Sequence, residues 1–166
     1  MKLKAPALIW LIVPALSAAW GCGSTVSDSE DTPSNEWQVV DSSCQFFFEA
    51  PDTLKRTSFG GIDSCVGEYG GPGMTLSYDY GGYSDPLDSY SDNADYKEEL
   101  TDIDGFQVKV ISLRHTDGRE LPHSIAAHFA DLGKYSTKLT MWINCAGTTE
   151  METGRKLIDS ISISFP

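Results

Sequence analysis

Between Asp79 and Asp104 the chain carries nine acidic side chains, Asp79, Asp85, Asp88, Asp92, Asp95, Glu98, Glu99, Asp102 and Asp104, against the single basic Lys97. Tyr80, Tyr83, Tyr90 and Tyr96 are set among them. Carboxylates at that density suit a hard cation, since Ca²⁺ gathers about 6–8 oxygen ligands. Asp79, Asp85, Asp88, Asp92, Asp95 and Glu99 are the candidate metal ligands. The register of a twelve-residue calcium loop does not fit: counting from Asp88 puts Tyr90 at the third position and Asn93 where the sharp turn requires glycine, although Glu99 falls at the twelfth. The expectation is a solvated acidic loop with no more than millimolar-class calcium affinity, its tyrosines packed across strands or forming a surface patch.

Other reactive groups are few. The three histidines are His115, His123 and His128. His123 and His128, five apart, fall on opposite faces of a strand and about 140° apart on a helix, so neither geometry makes a two-histidine metal site. They read as isolated surface histidines. There is no Gly-x-Ser-x-Gly, and Ser64-Cys65 has no nearby histidine in sequence, so a serine or cysteine nucleophile would depend on tertiary contacts. The glycines at 60–61 and 70–73 do not open a helix and read as turns, not phosphate loops. No cofactor is expected.

The whole chain has 166 residues, 24 acidic and 12 basic side chains, a total that suits one domain. Lys2 and Lys4 precede an apolar stretch from Ala5 to Ala19, a basic n-region and an h-region of secretory length. Pro6 and Pro14 interrupt it, and it falls short of the roughly 20 apolar residues of a membrane span. Removing residues 1–21 takes away Lys2 and Lys4 and leaves 145 residues with 10 basic and 24 acidic groups, a formal charge of −14. Such a surface repels a phosphate backbone and excludes a nucleic-acid partner.

Ala19-Trp20-Gly21-Cys22, followed by a Gly/Ser/Thr/Asp-rich stretch, resembles a bacterial lipoprotein signal. The resemblance implies a diacylated Cys22 at the mature N-terminus, an exported protein held at the membrane of the cell envelope, and a domain outside the cytoplasm. The alternative is ordinary cleavage after Ser17-Ala18-Ala19, which leaves Cys22 a plain thiol. If Cys22 is lipidated, Cys44, Cys65 and Cys145 remain in an oxidising compartment as one disulfide and one leftover thiol, with the pairing open. Their spacings are not zinc spacings. Residues 22–36 are too polar to bury a face and read as a flexible acidic tether to a single domain over 37–166.

That domain is punctuated into short strands. Gln45 to Glu49 is aromatic-rich and stops at Ala50-Pro51. Ser64–Tyr69 and Met74–Tyr80 form a hairpin across Gly70–Gly73; Tyr96–Thr101 and Phe106–Leu113 form another across Asp104-Gly105. Ser124–Ala130 and Ser136–Asn144 form the clearest, turning at Leu132-Gly133-Lys134. Thr149 and Glu152 match a capping box that opens a helix to about Ser160, in which Gly154 costs about 1 kcal/mol unless packing offsets it. Ile161, Ile163 and Phe165 alternate as a closing strand. The expected class is α+β: a single antiparallel sheet with the C-terminal helix packed on one face.

The opening strand, the Ile103-Asp104-Gly105-Phe106 hairpin and the close Ile158-Asp159-Ser160-Ile161-Ser162-Ile163 resemble the PsbP/Mog1-type fold over residues 45 to 165. Gly61-Ile62-Asp63-Ser64 and Leu76-Ser77-Tyr78-Asp79-Tyr80-Gly81 resemble stretches of uncharacterised exported bacterial proteins. The fold resemblance implies a non-catalytic accessory or binding role, with no shared active site to transfer. The expected function is a non-catalytic, membrane-anchored envelope lipoprotein with a protein or small-molecule ligand. Two alternatives stand beside it: a hydrolase-type enzyme assembled from histidine, cysteine and carboxylates, and a weak calcium-binding surface protein.

Overall fold

A computed structural model describes residues 36–133 and 136–165. The leader, Cys22, Lys134 and the tether up to residue 35 lie outside the described residues. In chain order the elements are β1 (Trp37–Asp41), β2 (Phe46–Pro51), β3 (Lys55–Gly60), β4 (Cys65–Gly71), β5 (Met74–Gly81), β6 (Ala94–Ile103), β7 (Phe106–Arg114), β8 (His123–Phe129), β9 (Lys138–Cys145), α1 (Thr148–Asp159) and β10 (Ser162–Ile163). Every strand pairing is antiparallel.

The strands form two sheets: three in the order β1-β2-β10, and seven in the order β3-β4-β5-β9-β8-β7-β6. This corrects the expected single sheet covered by a helix; the chain is predominantly β. The physical reason lies in the width of the large sheet. Its inner face presents Tyr69, Leu76, Tyr78, Ala127, Leu139, Met141 and Ile143, all buried. Helix α1 packs chiefly over β8 and β9. The small sheet covers the rest: Phe46 meets Tyr78 edge-on at 5.0 Å between ring centroids, and Phe48 meets Tyr69 at 5.6 Å. Alternation in β2, with Phe46, Phe48 and Ala50 buried and Phe47 and Glu49 exposed, therefore marks a strand lying against the large sheet, not within it.

Cys44 and Cys65 form a disulfide that ties the β1–β2 connection to the start of β4. Closing a loop of this length stabilises a fold by about 3 kcal/mol. Cys145 is a buried free thiol, its pKa pushed up to about 12 by burial, with Glu150 adding to the effect. Lys156 Nζ lies 3.8 Å from the Trp37 ring centroid and fastens β1 to the helix.

The helix starts one residue before the expected cap. Gly147, extended at φ −157°, is the N-cap and has no side-chain cap bond, so the Thr149–Glu152 capping box does not form. Its first bond runs from Met151 N–H to the Gly147 carbonyl, and Glu150 supplies the acidic group of the first turn. At the other end the Ser160 hydroxyl donates to the Leu157 carbonyl at 2.6 Å and accepts from Glu49 N–H at 2.8 Å, joining the helix to β2. Gly154 sits at a close approach of helix and sheet. A Cβ there would stand 3.0 Å from Ile125 Cγ2 and 3.3 Å from Ile143 Cγ2. Gly154→Val should therefore destabilise by about 1–3 kcal/mol through overpacking in urea unfolding; an unchanged midpoint would show that the helix does not press on β8 and β9 at this position.

The connection from β5 to β6 is forced by topology. These strands stand third and seventh in the large sheet, so the chain must cross β9, β8 and β7. It does so on the outer face as a strap over residues 82–93. Leu87, fully buried at φ +61°, packs with Ile111, Leu113 and Ala126, flanked by Tyr90, Tyr96 and Trp142. Asp88 and Asp92 are exposed as in a solvated acidic loop, but Leu87 and Tyr90 pack the segment onto the sheet, which the solvated loop did not anticipate.

Candidate functional site

The outer face is only half covered. Strands β3, β4, β5 and the near side of β9 lie beyond the strap, and a cleft of about 340 Å³ opens there. Period two along these strands turns alternate residues outward, and cross-strand register assembles them in rows. Glu68 stands opposite Ser77, which stands opposite Trp142; Val66 stands opposite Asp79, which stands opposite Thr140. Glu68, Ser77, Asp79, Thr140 and Trp142 line the cleft, and Asp85 of the strap closes one side. No lysine or arginine is among the lining residues.

The strap edge is held by polar bonds. The Ser84 hydroxyl donates to the Asp79 carbonyl at 2.7 Å, and the Thr140 hydroxyl to the Asp85 carbonyl at 2.7 Å. Asp85 Oδ1 accepts from Leu87 N–H at 2.8 Å and Oδ2 from the Tyr90 hydroxyl at 2.6 Å. Burial, reinforced by the Asp85 carboxylate, pushes the Tyr90 hydroxyl up to about 12. The Tyr90 ring meets Trp142 at 4.8 Å, which fixes the indole as the wall between strap and cleft.

The six acidic residues singled out in sequence scatter over this frame. Asp79 and Asp85 share the cleft. Asp88 pairs with Lys109, Asp95 with Arg114 and Glu99 with Arg155. Lys109 and Arg114 hold the Asp88 and Asp95 carboxyls below their usual range, through hydrogen bonding first and charge second. Asp92 is exposed in the turn before β6. Among the described residues no group of three His, Cys, Asp or Glu side chains is placed to hold a metal ion.

Asp79 differs from the others. Its Oδ1 is buried and accepts no hydrogen bond among the described residues. Such an acceptor costs about 1–3 kcal/mol when it has no donor.

His115 and His128 are hydrogen-bonded, and His128 is buried where a surface residue was expected. Its Nδ1 lies 2.8 Å from Thr140 Oγ1. Because the Thr140 hydroxyl gives its proton to the Asp85 carbonyl, Nδ1–H must donate to Thr140, and the ring is the Nδ1 tautomer. Burial depresses the His128 pKa, with Lys109 and Lys138 adding to it and Asp85 and Asp88 opposing. The folded state therefore binds this proton less well than the unfolded chain. The stability this contributes is fully present above about pH 6.5 and is lost as pH falls from there toward the depressed folded value. His115 is shifted in the same direction, by burial first. Melting temperature should fall between pH 7 and pH 5, and His128→Gln should flatten part of that fall; an identical slope in the variant would remove His128 from the explanation.

A serine–histidine contact, invisible in sequence, forms where β7 and β8 lie side by side: His115 Nε2 is 2.9 Å from Ser124 Oγ. Ser124 is fully buried and donates to Asn144 Oδ1 at 2.8 Å. Its proton is thus committed away from His115, which must itself donate. The pair is arranged as a structural bond, the reverse of a base activating a nucleophile. Cys65 is held in the disulfide and offers no thiolate.

Trp142, Glu68, Ser77 and Thr140 are not candidate site residues in the sequence, because no local motif joins them; only the alternation of β4, β5 and β9 places them outward. No helix among the described residues is long and apolar enough to cross a membrane. No protein-family model matches the chain, and no curated protein matches it.

Proposed function

We propose that this protein is a non-catalytic binding module of the cell envelope, anchored through lipidated Cys22 and carrying its ligand seat in the outer-face cleft. The observation that carries the reading is the uncovered half of the outer face: Trp142, Ser77 and Asp79 stand on rigid, paired strands beside a strap that buries the other half. Pre-formed concave sites with one aromatic wall and a few polar groups are the usual form of a small-ligand seat. The accessory role implied by the PsbP/Mog1-type resemblance points the same way, as does the use of His115, His128 and Cys65 in structural bonds.

Ser77→Trp fills the cleft from its floor without touching the buried layers. A thermal-shift screen over charged metabolites, short peptides and cell-wall fragments should find compounds that raise the melting temperature of the protein and not of the variant. Compounds that stabilise both equally would place the ligand elsewhere and overturn the reading. Anchoring is tested separately: Cys22→Ser should lose fatty-acid labelling and leave the membrane fraction, and unchanged partitioning would refute the lipid anchor.

A further inference from the structure

From the cleft geometry we infer that its ligand presents an alkylammonium group, seated between the Trp142 indole and the carboxylates of Glu68 and Asp79. The inference rests on the binding-module reading and names the chemistry of its ligand. Strands in a sheet lie about 4.8 Å apart, so Glu68 and Trp142, one strand to either side of Ser77, face each other across about 10 Å. Asp79 stands two residues along β5 from Ser77, on the same face. A compact cation over Ser77 reaches both carboxylates and remains within about 6 Å of the indole, the range in which an ammonium is attracted to a ring face.

Two further observations select this chemistry. The Asp79 carboxylate lines the cleft with no ion-pair partner among the described residues, its Oδ1 closed to solvent and without a donor, and an ammonium beside it brings a compensating charge. Among the described residues the same contact is present, with Lys156 Nζ 3.8 Å from the Trp37 ring centroid. Calcium fits less well, because it needs about six or more oxygens around one point and these carboxylates project from separate strands. A neutral sugar would stack on the indole but leave Glu68 and Asp79 uncompensated on desolvation. The ammonium could belong to a free polyamine or to a lysine side chain, and the probes separate these sources.

Isothermal titration of the full chain with 1,5-diaminopentane and with a tetralysine peptide, at about 0.15 M salt where exposed charges are screened beyond about 8 Å, reads the site directly. One saturable 1:1 site is expected. Glu68→Gln and Asp79→Asn should each weaken it by about fivefold or more, Trp142→Leu likewise, while Glu152→Gln on the exposed face of α1 leaves it unchanged. A free amine is indicated if the diamine saturates and the peptide does not; a lysine-bearing protein if only the peptide saturates. No saturable heat with either probe, or equal loss in Glu152→Gln, overturns the inference. If neutral glycan fragments then protect the protein and not Ser77→Trp, the binding module stands and the ammonium falls; if nothing distinguishes Ser77→Trp, both fall.

Discussion

Phe46→Ala is expected to lower the unfolding free energy by about 3–5 kcal/mol. The side chain is fully buried and meets Tyr78, Tyr80 and Phe48 at 5.0, 6.0 and 6.1 Å between centroids. It also pairs with Ile163 across β2 and β10, so its removal loosens the small sheet from both the large sheet and the closing strand. The Phe47 side chain, one residue on, points outward, and Phe47→Ala should change little. Urea unfolding of the two variants makes the comparison. Equal losses would mean that β2 does not lie face-on against the large sheet.

Leu87→Ala should cost about 2–5 kcal/mol, most of it confined to the outer face. Leu87 is the one strap residue fully buried against Ile111, Leu113 and Ala126, and it holds a left-handed φ of +61° that alanine also tolerates poorly. Alanine would leave a cavity under the strap while leaving the inner core intact. Hydrogen exchange should therefore quicken at residues 84–93 and stay slow in β8 and β9. A loss below about 0.5 kcal/mol with unchanged exchange would show that the strap is a solvated loop after all.

These two layers mark where the sequence is readable. The hairpins β4–β5, β6–β7 and β8–β9 follow from alternation and from turns such as Asp104-Gly105, whose φ values of +53° and +82° are those expected of Asp-Gly. The closing helix follows from its apolar face, with Leu157 and Ile158 buried. What local pattern does not carry is which sheet a strand joins. β3, Lys55–Gly60, is exposed throughout and shows no alternation, because it is an edge strand paired on one side only. β1 is short and partly exposed, and only its pairing with β2 makes it a strand.

Charge dominates the sequence of the strap. Two of its acidic residues, Asp85 and Asp88, are spent on strap or sheet partners. The packing signal is Pro86-Leu87 with Tyr90: an apolar residue and a ring among carboxylates, in a connection long enough to span three strands. The cleft lies further from reach, since Glu68 and Trp142 are separated by most of the domain in sequence and meet only through the β4-β5-β9 pairings.

Nitrogen-15 NMR of the full chain titrated with 1,5-diaminopentane examines the seat residue by residue. The Trp142 indole N–H and the amides of Ser77 and Asp79 should shift together along one saturable curve, while the Trp37 indole, already covered by Lys156, stays in place. Shifts spread evenly over the acidic surface and rising linearly with the diamine would contradict a formed site in the outer-face cleft.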